Sequence, residues 1–426
     1  MTSPRRLAAL AVALICALAG CSSGSSSSNK QTDQLELISW WTSSSEQPAL
    51  DVLINGYTAA HPGVKVVNAS VAGGGGSNAQ VVLAQRLLSG NPPDVWQTFP
   101  GGALQAFVGQ RQVADVSSVI QQTGMAATLP KVILDGLTVG GKQYGVPTSS
   151  HRGNVLFYNS KLLDQAGVAK PESGYTVDAL IADMGTLKKA GITPLCLGAK
   201  DPFTTAAVFE NVLLSVVGAN GWAQITRDRF DWNGAQTRKA LAQFGEILNY
   251  ADPEAAALSW DAATKKLAAG QCAFETMNDS AFGELVKAGA VDGTDFGVLP
   301  FPGTEMNYVA VVDTFVQARS AADARNASDF LAVIASPDTQ IAFSKAKGSV
   351  PVRTDADVAT LTPYQQSAAR ALHSSTVLWS IVHGSATSPR FQQAFYDAVQ
   401  AYVRSGNPQA FSKTLTAAMS QQPPAK

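Results

Sequence analysis

Leu35-Glu36-Leu37-Ile38-Ser39-Trp40, Val64-Lys65-Val66-Val67 and Asp94-Val95-Trp96-Gln97 are the three runs on which the fold turns. Each is short and apolar or β-branched, as a buried strand requires. Between the first two, Leu50, Leu53, Ile54 and Tyr57 recur at helical spacing and form one apolar face. Glu46 and Pro48 stand where a first helical turn favours an acid and a proline. His61-Pro62-Gly63 stops that helix. A second helix is predicted over residues 78–88, with Val81 and Leu88 inward, and residues 90–93 end it. Strand-helix-strand-helix-strand in this order predicts a parallel, doubly wound α/β sheet with helices on both faces. Ligands of such sheets sit beyond the carboxyl ends of the strands. Trp40 and Trp41 lie at that end of the first strand and Gln97 at that end of the third, so two indoles and an amide are directed to one cleft.

Upstream of these strands the chain reads as an address. Arg5 and Arg6 precede a small-and-apolar run at 7–18, too short to span a bilayer, so residues 1–20 are expected to be an export signal. Leu18-Ala19-Gly20-Cys21 resembles a lipobox, which makes Cys21 the lipidated first residue and fixes the chain to the outer face of the cell membrane. Residues 21–33 follow as a Ser- and Gly-rich tether with too little apolar surface to bury a core.

Downstream, roughly 390 residues remain, more than one hydrophobic core usually serves, so two lobes are expected. The first takes residues 34–147 and about 300–355, the second 148–299 and about 356–420, with the crossing near Tyr144-Gly145-Val146-Pro147. Strand character returns at 155–158, 296–300 and 308–315, while 176–270 and the tail from Pro363 read as helical. Lys and Arg total 31 against 32 Asp and Glu, and no basic stripe stands out, which argues against nucleic acid. No later apolar run is read as long enough to cross a membrane. Of four cysteines, Cys16 leaves with the signal and Cys21 carries lipid. Cys196 and Cys272 remain, as a disulfide or as two buried thiols.

Enzyme signatures fail one by one. Gly136-Leu137-Thr138-Val139-Gly140-Gly141-Lys142 approaches a phosphate loop, but Gln143 replaces the required hydroxyl and Gly140-Gly141 reads as a hairpin turn. Gly73 to Gly76 lacks the spacing of a dinucleotide loop, and neither GxSxG nor HExxH occurs. The four histidines (His61, His151, His373, His383) lack metal-ligand spacing, so neither metal nor cofactor is expected. What remains suits a carbohydrate, whose apolar faces want aromatic planes and whose hydroxyl rim wants planar or charged polar groups. Seven tryptophans fit that need, although each is also a natural core residue.

Nine segments in order carry a resemblance: ISWWTSSSEQPAL (38–50), HPGVKVVNASVAGGGG (61–76), RLLSGNPPDVWQ (86–97), GVPTSSHRGNV (145–155), ALSWDAA (257–263), FETMND (274–279), FPGT (301–304), AKGSVPVR (346–353) and IVHG (381–384). Together they resemble the extracellular solute-binding proteins of carbohydrate ABC importers, and within them the glucose/mannose-type binding proteins. The resemblance implies a two-lobed periplasmic-binding-protein-like fold, each lobe a sheet flanked by helices, closing about a hinge on a hexose or glucoside without catalysis. It also implies a membrane permease as partner and a monomeric state.

The same resemblance implies the sugar contacts. Trp40 and Trp41 match paired tryptophans, of which one stacks on the ring and the other is a candidate for core packing. Glu46 matches an acidic acceptor, although a helix first turn also explains it, and Gln97 matches a polar contact. His151 and Arg152 match a pair at the lobe crossing, and Trp260 an opposite wall. Asp279 matches an acid that also reads as a cap, Asp313 a supporting residue, and Lys347 and His383 match hydroxyl-binding positions. Two departures reshape the rim: Phe99 stands where the family carries histidine, and Ser280 where a tryptophan can occur. A surface-tethered glycoside hydrolase using Glu46 and Asp279 is the alternative from another class.

Overall fold

The computed structural model describes residues 33–419, so the export signal, the lipobox with Cys21 and nearly all of the tether lie outside the described residues. Among the described residues eleven strands run in chain order: β1 (Gln34–Ile38), β2 (Lys65–Asn68), β3 (Val95–Thr98), β4 (Thr138–Val139), β5 (Lys142–Gln143), β6 (Val146–Arg152), β7 (Val155–Asn159), β8 (Phe274–Met277), β9 (Phe296–Pro300), β10 (Asn307–Gln317) and β11 (Thr376–Trp379). β1 lies between β2 and β3, parallel to both, as the opening runs predict. The sheet then departs from an all-parallel one, because β10 joins β3 antiparallel and β6 pairs antiparallel with β10 in turn. β10 is long enough to pair with β3 through its second half and with β11 through its first. The second lobe is a three-stranded sheet, β8-β7-β9, antiparallel throughout.

Two separate apolar cores hold these sheets. In the first, Leu35 and Leu37 of β1 and Val95 and Trp96 of β3 meet Leu50, Leu53 and Tyr57 of the helix Glu46–Ala60. The predicted face of that helix is therefore the buried one. The next helix, Ser77–Leu88, turns differently: Val81 is 59% and Leu88 is 88% exposed, and Ala79 and Leu83 point inward instead. Val81, Val82, Leu83, Leu87 and Leu88 are all apolar, so spacing alone admits more than one inward face and packing selects among them.

The chain passes between the lobes three times, at 153–154, at 301–306 and near Ser380. Asn154 stitches the first two passages: its amide donates to Thr304 Oγ1 (2.8 Å) and the Asn307 carbonyl (3.0 Å), and its oxygen accepts from the Val309 N–H (2.9 Å). Residues from 356 onward do not all go with the second lobe. Ala368, Ala369 and Leu372 of the helix Pro363–Ser374 pack in the first core, and the second core resumes at Ile381.

The helix Pro202–Thr226 corrects the reading that no later run reaches membrane-spanning length, since by length and composition this one does. Its place explains its apolarity, because Phe209, Val212 and Leu213 form the middle of the second core. The rejected phosphate loop is a hairpin: β4 and β5 pair antiparallel, with Gly140 (φ 58°) and Gly141 (φ 78°) at its tip. That left-handed pair is what a two-residue turn requires. Cys196 and Cys272 are joined as a disulfide, with Cα atoms 5.4 Å apart and 76 positions of chain between them. Closing a loop of that length stabilises the fold by about 4–5 kcal/mol in the chain-entropy view.

One core residue makes stability depend on pH. Glu275 on β8 is buried, accepts from Thr264 Oγ1 (2.8 Å), and leaves its second oxygen without a hydrogen-bond partner among the described residues. Burial, aided by the nearby Glu284 charge, pushes its carboxyl up to about 8 against the opposing Thr264 bond. Between the ordinary value of 4.5 and about 8 the unfolded chain has lost a proton that the native chain keeps, so stability falls as pH rises through this window. Each unit is worth about 1.4 kcal/mol, so the loss amounts to several kcal/mol. Glu275→Gln is expected to flatten the decline in melting temperature between pH 5 and 8. Identical slopes in the two proteins would refute the assignment.

Candidate functional site

The strand ends of the first lobe face the second lobe across a cleft of about 350 Å³. On β10 the alternation of a strand turns Val311 and Asp313 to the same side, and His151, paired with Val311, joins them there. The register shifts between Asp313 and Thr314, an irregularity of the kind that re-aims a side chain. Trp40 follows β1, Lys347 ends the helix Pro337–Lys347, and Glu46 opens the helix Glu46–Ala60. From the second lobe come Trp260 at the start of the helix Trp260–Ala268, Asn278 and Ser280 after β8, and His383 after β11.

The adjacent indoles diverge, as neighbouring positions on extended chain do. Trp41 is wedged against Phe343 (4.9 Å between centroids) and Phe315 (5.6 Å) in the first core, while Trp40 packs on Phe99 (5.2 Å) at the cleft wall. Gly76 makes that placement possible, because a Cβ there would come within 2.6 Å of the Trp40 ring. Of the remaining tryptophans, Trp96, Trp222 and Trp232 are core residues, and only Trp40, Trp41 and Trp260 border the cleft.

Lys347 is the electrostatic centre of the floor. Its ammonium donates to Glu46 Oε1 and Ser280 Oγ, both at 3.1 Å, and so touches both lobes. The other Glu46 oxygen accepts from the Thr42 and Ser43 N–H groups at 3.3 Å. Beside them His151 lies between two acids, its Nδ1 2.6 Å from Asp279 Oδ1 and its Nε2 3.3 Å from Asp313 Oδ2. The second approach is an ion-pair contact without hydrogen-bond direction, since Asp313 Oδ2 has no hydrogen-bond partner among the described residues. Burial and the Lys347 charge oppose protonation of His151, but the two carboxylates outweigh them and hold its pKa above the ordinary value. Burial raises the Asp313 carboxyl, and its His151, Lys347 and Gln97 partners more than reverse that.

His383 has the opposite character. Burial drives its pKa down to about 3, so the imidazole is neutral at physiological pH. Ser380 Oγ lies 2.9 Å from its Nδ1 and is held by Glu210, which also accepts from the Ile381 (2.6 Å) and Val382 (3.1 Å) N–H groups. With the Ser380 proton given to Glu210, Nδ1–H donates to Ser380 and Nε2 is left as an acceptor, 3.3 Å from Asn278 Nδ2.

The sequence-selected residues therefore divide. Trp40, Trp41, Glu46, His151, Trp260, Lys347 and His383 border the cleft. Gln97, Arg152 and Asp279 stand behind it. Gln97 donates to Asp313 Oδ1 (2.9 Å) and accepts from the Trp40 N–H (3.3 Å), fixing two wall residues at once. Arg152 clamps the lobe crossing through the Asn307 carbonyl (2.8 Å). Asp279 is sealed, accepting from the Arg152 N–H (3.1 Å) and Tyr364 hydroxyl (3.1 Å) as well as facing His151. Sequence reasoning missed Asn278, Asp201, Phe203 and the contact made by the glycine run. A Cβ on Gly74 would meet Phe203 of the opposite lobe at 2.5 Å and Trp260 at 3.0 Å, so the close approach of the two lobes leaves no room for a side chain there. It also missed Glu284, which accepts across the cleft from the Ser44 hydroxyl and from the Ser45 N–H (2.8 Å) and hydroxyl (2.7 Å).

The family model of bacterial extracellular solute-binding proteins matches residues 41–341. An uncharacterized ABC transporter extracellular-binding protein of Pyrococcus horikoshii is 31% identical over 388 residues, covering 89% of this chain and 87% of its own. A probable sugar-binding periplasmic protein of Brucella suis is 29% identical over 92% of this chain and 93% of its own. Among solved structures, the bacterial solute receptor AcbH, described as preferring β-D-galactopyranose, superposes with a TM-score of 0.79. It shares 19% identity over 91% of this chain and 98% of that one, a likeness of fold.

Proposed function

Because the chain belongs to the bacterial extracellular solute-binding protein family, we propose that it captures a hexose or small glycoside for delivery to an ABC importer. It is a binding protein of the sugar-importer class and not an enzyme. The observation that carries the reading is one cleft in which indoles from two lobes, Trp40 and Trp260, face a floor of Lys347, Glu46, Asp313 and His383. The indoles offer planes for the apolar faces of a pyranose, and the floor offers donors and acceptors for its hydroxyls. Lys347 and His151 donate, while Glu46, Asp313 and the neutral His383 Nε2 accept. Gln97, Arg152 and Asp279 hold these groups in place. A buried hydroxyl without a partner costs about 1–3 kcal/mol, which is how such a rim selects among epimers.

Capture is coupled to closure. A ligand touching both walls stabilises the closed form over the open one, and the closed form is what a membrane permease recognises. The Leu18–Cys21 motif supports a lipid-anchored, extracytoplasmic location, and a monomer is the expected state. Glucose/mannose-type preference is the finer reading, tempered by Phe99 and Ser280 at the rim. The hydrolase alternative loses one of its two carboxylates, since Asp279 is fully buried among its partners.

Calorimetry of the purified protein against hexoses, disaccharides and alkyl and aryl glycosides tests the proposal, with tryptophan fluorescence as a second readout. Saturable binding of at least one sugar is expected, accompanied by a change in emission and no product release. Absence of binding across the panel would overturn sugar capture, and turnover of an aryl glycoside would overturn the non-catalytic role.

A further inference from the structure

Behind the cleft lies a second chamber of about 390 Å³. Trp40, Phe99 and His383 border both spaces, so the two adjoin at one aromatic partition. The chambers differ in chemistry. The cleft is floored by Lys347, Glu46 and Asp313, whereas the rear chamber is walled by Leu83, Leu87, Ala103, Phe107 and Pro389 and has no charged side chain in its lining. It runs between the helices Ser77–Leu88 and Gly102–Gly109 of the first lobe, is bordered by Pro389 and Gln392 of the second, and reaches solvent at Leu88.

From this juxtaposition we propose that the rear chamber is an aglycone site. The ligand class is a glycoside whose pyranose occupies the polar cleft and whose uncharged, apolar aglycone, aryl or short alkyl, passes the Phe99 ring into the rear chamber. The proposal rests on the sugar reading of the cleft and extends it. Three features carry it. An apolar chamber adjoining a polar one suits a ligand with one polar and one apolar end. The partition is made of rings in tilted and edge contact, Phe99 lying 5.2 Å from Trp40 and 5.3 Å from His383, so the Phe99 ring is the side chain that an aglycone entering the rear chamber displaces. The chamber also takes walls from both lobes, so an aglycone lodged there stabilises closure together with the sugar.

The test compares, by calorimetry on the intact protein, the methyl, phenyl and hexyl glycosides of whichever sugar binds. Phenyl or hexyl is expected to bind at least tenfold more tightly than methyl. Ala106→Trp, which fills the rear chamber away from the cleft, is expected to abolish that gain and leave the methyl glycoside unaffected. Leu87→Asp, which places a charge in the same wall, serves as the second variant, and thermal melts identify a variant that has failed to fold. Equal affinity for methyl, phenyl and hexyl glycosides would overturn the aglycone site while leaving sugar capture intact. A gain that survives in both folded variants would also overturn it. Binding of no glycoside and no free sugar would remove the reading on which it rests.

Discussion

Lys347→Met is expected to weaken sugar binding about 100- to 1,000-fold while the protein remains folded. Methionine keeps the length and apolar bulk of the side chain, so packing changes little. The ammonium, however, is the only cation bonded to Glu46 among the described residues, and in the closed form both are buried. Removing one partner of a buried ion pair leaves the other uncompensated, at a cost of about 3–5 kcal/mol. Opening the lobes lets water reach the orphaned Glu46 carboxylate, so the penalty falls on the closed form and therefore on affinity more than on stability. On the proposed reading of the cleft, loss of a hydrogen bond from Lys347 to a sugar hydroxyl adds to it. Because the charge on Glu46 causes the larger part, Lys347→Met combined with Glu46→Gln is expected to recover some of the loss. Calorimetric affinities with melting temperatures for the three variants check this. Affinity within threefold of wild type in Lys347→Met would mean that Lys347 does not organise the site.

What the sequence disclosed, and what it hid, follows from the range of the interactions. β1 and β3 were legible because each buries a short apolar run, and β2, whose Val66 and Val67 are only half-buried, because it pairs with β1 close by in the chain; their strand ends led to Trp40 and the cleft. The direction of β10 was not legible, since its antiparallel pairing with β3 joins residues more than two hundred positions apart, as the bond from Gln97 to Asp313 illustrates. Helix Ser77–Leu88 was misoriented because too many of its faces are apolar. Lys347, His383 and Trp260 came from resemblance and not from pattern. The division between Trp40 and Trp41 needed the packing of Phe315 and Phe343. Gln97 shows a further limit: a strand-end amide near a cleft looks the same in sequence whether it touches a ligand or braces the residues that do.

Glu284→Ala is expected to open the ligand-free cleft. Glu284 lies on the helix Ser280–Lys287 of the second lobe, yet the donors nearest its carboxylate come from the first lobe, in the loop that starts the helix Glu46–Ala60. Two of these bonds join residues 239 positions apart, so nothing local calls for them. Hydrogen bonds to a charged group contribute about 1.5–3 kcal/mol each when made. Separating the lobes replaces all three with water, so their net effect on closure is smaller than their sum but still of order 2 kcal/mol or more. Losing them lowers the closed population before ligand arrives, and apparent affinity falls in proportion, about 10- to 100-fold. Small-angle scattering of the ligand-free variant is expected to show a larger radius of gyration that returns to the wild-type value at saturating sugar. Burial raises the Glu284 carboxyl, but the Ser44 and Ser45 bonds outweigh it and hold the pKa below the ordinary carboxylate value. A depressed pKa in the closed form means that this contribution is complete above the ordinary value and lost as pH falls through the depressed one. Wild-type protein is therefore expected to open in acid where the alanine variant shows no further change. An unchanged radius and unchanged affinity in Glu284→Ala would reduce this contact to a cap on the helix Glu46–Ala60, and closure would then depend on the sugar alone.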